Sequence, residues 1–278
     1  MGVAIGAGLR PYQAVVRARF NLLLQYRAAA LAGFVTQCWW GALKIMVLSA
    51  FFRGAASLPM TLQQTIDYVW LGQALLTLLP WSADPEIARM VRSGDVAYER
   101  LRPLDPYAFW YARAVARRTA TPLLRAIPMV ITAGIVLRLL GMSRWALSPP
   151  AGWDAALLFC ASMVLVIALS AAVTTLMDIL TVATLSDRGV NALIGPLIIV
   201  FSGSLVPLPL FPDWLQRALA LQPFAGLIDV PFRIYTGHLS GSAAVAGLVR
   251  QVVWIVVLIL IGRWLMARVM ARLQTQGG

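Results

Sequence analysis

The sequence predicts an all-α polytopic membrane protein of about six transmembrane helices, and three observations predict it. The chain has 278 residues, 60% of them hydrophobic and only 12% charged, where a soluble domain carries about 25% charge. Its apolar residues gather into runs near the roughly 20 residues that a bilayer core requires. Its arginines concentrate in alternate connections between those runs, the positive-inside pattern of membrane topology. That placement accounts for the net charge of +12 without a nucleic-acid partner.

The elements follow in order. Residues 9–27 read as an amphipathic helix, because Arg10, Gln13, Arg17, Asn21 and Gln25 recur at steps of three and four with Tyr12, Val16, Phe20 and Leu23 opposite. Such a helix lies in the interface with its arginines towards headgroups, as an anchor or as a docking element. Spans are expected at about 28–51 and 61–81, within 122–140, at about 155–176, and at about 243–266. The fifth starts near Val190, meets Gly195-Pro196 and ends in prolines that can bend it back before it crosses fully. Cys38 and Cys160 lie in apolar runs and read as small hydrophobes, with no support for a disulfide. The first ten residues lack a cleavable signal pattern, so the first span is expected to direct insertion.

Orientation follows from arginine. Arg10, Arg17, Arg19 and Arg27 precede the first span, a group from Arg89 to Arg118 separates the second and third, and Arg263, Arg268 and Arg272 close the chain. Both termini are therefore expected in the cytoplasm, with an even number of spans.

Two connections are more than loops. In residues 83–105, Asp84-Pro85-Glu86 predicts a helix start: a capping side chain, a proline at the first position and an acid on the positive helix end. Ser93-Gly94 stops that helix after about two turns. Asp95 is placed to cap a second short helix through Leu101, ended by Arg102-Pro103, and Asp105-Pro106 starts the helix leading into span three. Residues 202–237 are too apolar for a free loop, and the prolines at 207, 209, 212, 223 and 231 break them too often for a span. Non-helical backbone at membrane depth must be covered by protein. The stretch therefore reads as a re-entrant pair of short helices, one over 212–222 and one over about 224–235.

These segments together resemble the permease subunits of type-2 ABC exporters, in the branch built from two related permeases and one ATPase. The likeness is carried by Val91-Arg92-Ser93-Gly94-Asp95 through Leu101-Arg102-Pro103-Leu104-Asp105-Pro106. It is carried also by Pro207-Leu208-Pro209-Leu210-Phe211-Pro212-Asp213-Trp214-Leu215, by Gln222-Pro223-Phe224, and by Pro231 with Ile234-Tyr235-Thr236-Gly237. The resemblance implies a single transmembrane permease domain over 1–278 in a bacterial inner membrane. It makes 85–93 the coupling helix, seated in a groove of the ATPase, with Pro85, Glu86, Arg89 and Arg92 as polar-side residues and Ile87, Met90 and Val91 as apolar contacts. It makes Pro207, Pro209, Phe211, Pro212, Trp214, Pro223 and Phe224 parts of an outer gate. The implied partners are an ABC ATPase dimer, a second permease that is related but different, and membrane lipids. No cofactor is expected on this chain, since ATP and magnesium would sit on the ATPase.

The residues themselves exclude an ATPase within the chain, because a phosphate-binding loop needs a lysine and Lys44, the only one, lies in span one. Energy therefore comes from another polypeptide or from an ion gradient. A gradient-driven transporter would use intramembrane charges such as Lys44, Asp67, Arg125 and Asp178; a non-transporting assembly factor would leave the capped helices unexplained. An enzyme finds no support: His238 is the only histidine, with no metal-binding cluster or nucleophile–base pair around it. Trp39, Trp40 and Tyr68 could line a pathway or serve as packing anchors. Lys44 and Asp67 fall at similar depth, roughly 9–10 Å below the outer surface, so a charge pair between them competes with a lysine that reaches outwards.

Overall fold

A computed structural model describes residues 10–23, 25, 27–54 and 58–272. Residues 9, 24 and 26 of the expected interfacial helix lie outside the described residues. Ten helices follow one another: α1 (Arg10–Leu23), α2 (Arg27–Gly54), α3 (Leu62–Ala74), α4 (Pro85–Ser93), α5 (Pro106–Leu139), α6 (Trp153–Thr184), α7 (Asp187–Phe201), α8 (Asp213–Leu221), α9 (Asp229–Tyr235) and α10 (Gly241–Arg272). No strand occurs among the described residues.

Four stretches are long and apolar enough to cross a bilayer: Leu31–Gly54, Pro106–Leu139, Trp153–Thr184 and Gly241–Arg272. Two further apolar runs hold short helices, α3 with 13 residues and α7 with 15. Both correspond to apolar runs expected as spans, and both are cut short by local chemistry. α3 gives way to a 3-10 turn at Leu76–Leu78 before Pro80. α7 contains Pro196 and ends just before Gly203, whose φ of 87° only glycine adopts readily.

A short helix is tolerable at this depth because protein encloses it. Thr65 to Leu71 of α3 are all buried, and α2, α5 and α9 pack around them. Its broken end needs partners for its carbonyls, since lipid offers none. Arg118 of α5, only 3% exposed, supplies them by donating to the carbonyls of Thr77 and Leu79 at 3.0 Å each. The hydroxyl of Ser170 on α6 donates to the carbonyl of Leu78. Arg118 is fixed in turn by Thr174 Oγ1 at 2.8 Å.

The third expected span occupies the second half of α5, which begins well before it at Pro106 under the cap of Asp105, whose carboxylate accepts from the Ala108 amide at 3.1 Å. α5 carries Pro122 and Pro128 and a π turn at Thr132–Val136, and the Ala133 carbonyl accepts from Leu147 N at 2.9 Å. α6 outruns its expected end and takes Asp178 into the helix interior, where it is 2% exposed. Cys38 and Cys160 are both free, and Cys160 faces outwards instead of being buried.

The main core joins Ile66, Trp70, Leu79, Met129, Leu169, Met177 and Phe232. A second core at the arginine-rich end joins Ile87, Val96, Trp110, Ile179 and Met266. Gly203 sits against the first. A side chain added there would collide with the Tyr68 hydroxyl at a positive φ, whereas Gly94, with φ 82°, faces open space. Gly203→Ala is expected to destabilise by about 2 kcal/mol and Gly94→Ala by about 1 kcal/mol. Unfolding in mixed detergent measures both, and equal losses would mean that the crowding at Gly203 has no weight.

Candidate functional site

The site is built on α4, which keeps the expected bounds, Pro85–Ser93. Asp84 accepts from the Glu86 amide at 2.9 Å, Pro85 opens the first turn, and Gly94 ends the helix in the left-handed conformation. The 3-10 turn Asp95–Leu101 follows. Asp95 does not cap it through its side chain and instead accepts from the Ser93 hydroxyl at 2.6 Å.

Four other helices hold α4 by charge. The Asp84 amide donates to Asp178 Oδ1 of α6 at 2.6 Å. Arg113 of α5, 4% exposed, lies 3.6 Å from Asp84 and 3.3 Å from Glu86. Arg19 of α1 pairs with Glu86. Arg92 meets Asp187 at the start of α7 at 3.1 Å. Behind the first turn, the Ala83 amide donates to Asn191 Oδ1 at 2.9 Å and the Ala83 carbonyl accepts from Arg117 at 3.4 Å.

This arrangement changes the roles expected of two residues. Ile87 is 1% exposed and packs in the second core, with Met90 and Val91 partly buried against it. It is therefore not an apolar contact for another protein. Glu86 is engaged by Arg19 and Arg113, so it serves the interior. The helix is amphipathic and its apolar face is satisfied by this chain itself. The outward rim consists of Pro85, Arg89, Arg92 and Ser93, continued by Tyr98 at 64% and Leu101 at 73% exposure. Tyr98 and Leu101 were missed in the sequence because the second short helix carried no signal of which side faced out.

Residues 202–237, read from the sequence as a re-entrant segment, form a series of short helices and turns. A 3-10 turn at Leu208–Leu210 contains Pro209, α8 runs from Asp213 after Pro212, and the second expected helix divides into a 3-10 turn at Pro223–Leu227 and α9. Leu208 and Leu219 form a small core with Phe211 packed on it, while Trp214 is 73% exposed. Phe224 packs against the main core, and Gln222 accepts from its amide at 2.6 Å. Asp229 accepts from Arg233 at 3.1 Å, and the Tyr68 hydroxyl approaches it at 3.5 Å. The Tyr68 ring meets Phe232 edge to face at 5.2 Å. Burial and the nearby Arg233 hold His238 below the usual histidine value, favouring the neutral ring.

The pairing of Lys44 with Asp67 is not formed. Lys44 Nζ donates to the Ser204 carbonyl at 2.8 Å. Asp67 turns away, accepting from Ser148 N at 2.7 Å and from Gln63 at 3.0 Å. Similar depth placed the two charges at one level, but their helices present them to different neighbours. Trp39 and Trp40 are 68% and 52% exposed and face out from the bundle, while Tyr68 is buried at 3%.

Comparison with curated proteins gives no match. A family model described as ABC-2 family transporter protein matches residues 39–277. That range takes in the far half of α2, the α4 hub and the re-entrant segment. With its long apolar helices and a family match over most of its length, this multi-pass membrane chain belongs to the ABC-2 family of transporter proteins, as a transmembrane subunit of an ABC transporter.

Proposed function

We propose that the chain is the permease half of an exporter driven by ATP hydrolysis on a separate ABC ATPase. The ATPase docks on the rim formed by Arg89, Arg92, Tyr98 and Leu101. One observation carries this reading: α4 and its cap are fastened to α1, α5, α6 and α7, while Arg89, Tyr98 and Leu101 stay exposed. A displacement of α4 by the ATPase would thus reach two of the long helices through buried polar contacts and no flexible loop. The chain itself performs no catalysis in this scheme; the ATPase dimer carries ATP and magnesium. Both termini and α4 face the cytoplasm of a bacterial inner membrane. A second, related permease completes the pathway, and the exposed apolar stripe of Leu31, Val35, Trp39, Met46 and Phe51 on α2 supports such a neighbour.

The test is the Arg89→Glu, Tyr98→Ala double variant, chosen because both side chains are exposed and their loss leaves the cores untouched. Two interface contacts worth about 1.5 kcal/mol each correspond to roughly a hundredfold loss of affinity. The ATPase that co-purifies with the wild-type chain should be lost from the variant at unchanged permease levels in the membrane. Retention of the ATPase in wild-type ratio would overturn the docking assignment.

A further inference from the structure

A lateral cleft of about 390 Å³ opens between α2, α3, α5 and α7. It runs along α2 from Gly33 to Lys44, roughly 16 Å at 1.5 Å per residue. Two cations line it, Lys44 of α2 and Arg125 of α5, and neither makes a salt bridge among the described residues. The Arg125 guanidinium lies over the bare Cα of Gly33, where an added Cβ would stand 2.6 Å from it. Its Nε has no partner among the described residues. Gln37, 4% exposed and lining the same cleft, leaves both its amide oxygen and its amide nitrogen without a partner. Thr36, Gln73 and Ser204 add polar wall, and Trp40, Trp81, Leu76, Ile199 and Leu205 supply the apolar and aromatic part.

Uncompensated cations within spans are expensive, and so are buried amides without partners. Other features of the bundle show the usual remedy: Arg113 has its carboxylates and Arg118 its carbonyls. In the cleft, positive charge without a carboxylate, open donors and an apolar wall occur in one place. We infer that it binds an anionic amphiphile, a molecule with a phosphate or carboxylate head and an aliphatic tail. The head sits between Arg125 and Gln37, and Lys44, which uses only one of its three protons on Ser204, adds positive charge at the other end of the cleft. The tail runs along Trp40 and Trp81 and leaves through the open side. A cationic ligand is disfavoured by both charges.

Native mass spectrometry of the full chain released from phosphatidylcholine nanodiscs tests this, with phosphatidylglycerol and dodecyl phosphate as probes and dodecyltrimethylammonium as the opposite charge. The wild-type chain should retain both anionic probes and not the cation. Lys44→Gln with Arg125→Gln should lower retention at least tenfold; neither charge makes a salt bridge among the described residues, and glutamine at 44 can still donate a hydrogen bond, so the fold stays in place. Gly33→Leu, which fills the floor of the cleft but keeps both charges, should lower it as well. If dodecyl phosphate displaces phosphatidylglycerol, the occupant is a free amphiphile; if it does not, the occupant is a membrane lipid, and either result upholds the anion chemistry. Undiminished retention in the double-glutamine chain, or equal retention of the cation, overturns the proposal. The readout involves no ATPase, so its failure is distinct from failure of the docking assignment.

Discussion

Arg113→Ala is expected to destabilise the protein by about 3 kcal/mol, the lower part of the range for removing one partner from a buried charge pair. Arg113 is 4% exposed and is the cation shared by Asp84 and Glu86. Without it, Asp84 keeps its amide partner but loses its charge partner, and Glu86 retains only Arg19. The lower part of the range applies because the contacts, at 3.6 and 3.3 Å, are long and Glu86 is partly exposed. Arg89→Ala on the exposed rim should stay within about 0.5 kcal/mol. Thermal unfolding in detergent compares the two. If they unfold together, the hub does not hold α4.

At the other end, Phe232→Ala is expected to cost about 3 kcal/mol. Phe232 is 1% exposed and joins α9 to α3 through the edge-to-face contact with Tyr68, at 5.2 Å and 84° between rings. Large-to-small changes of this kind cost about 3–5 kcal/mol in a close-packed core. The lower value is used because transfer from lipid contributes little inside a membrane and lost packing contributes most. Tyr68→Phe, which removes only the marginal 3.5 Å contact with Asp229, should cost under about 1 kcal/mol. Comparable losses in the two variants would shift the weight from ring packing to the hydroxyl.

The local punctuation of this chain was legible in its sequence. Asp84-Pro85 and Gly94 set the bounds of α4, and Asp105-Pro106 set the start of α5, because caps and prolines act within a turn of where they stand. The prolines of 207–223 marked where helix breaks into short turns for the same reason. What the sequence could not display was partnership between helices far apart in the chain. Arg113 and Arg118 counted there only as topology signals, yet they fasten α4 and the broken end of α3. Ile87 looked like a contact for another protein because its own partners, Val96, Trp110 and Met266, come from three other segments. Depth along the membrane was derivable for Lys44 and Asp67, but rotation about each helix axis was not, and rotation decides whether two charges meet.

The shortness of α3 has a consequence for how the chain is made. Its 13 residues carry Asp67, Thr65 and Gln73, all buried in the finished protein. A segment so short and polar gains little from lipid when it leaves the ribosome. The groups that satisfy it arrive later: Arg118 in α5, the Ser148 amide before α6, and Phe232 in α9. The long helices α2 and α5 can each enter the membrane by themselves, but α3 settles only after most of the chain has been synthesised. Until then, the α4 hub that α3 leads into is also unassembled, which orders biogenesis so that the exposed rim of α4 forms among the last features of the protein.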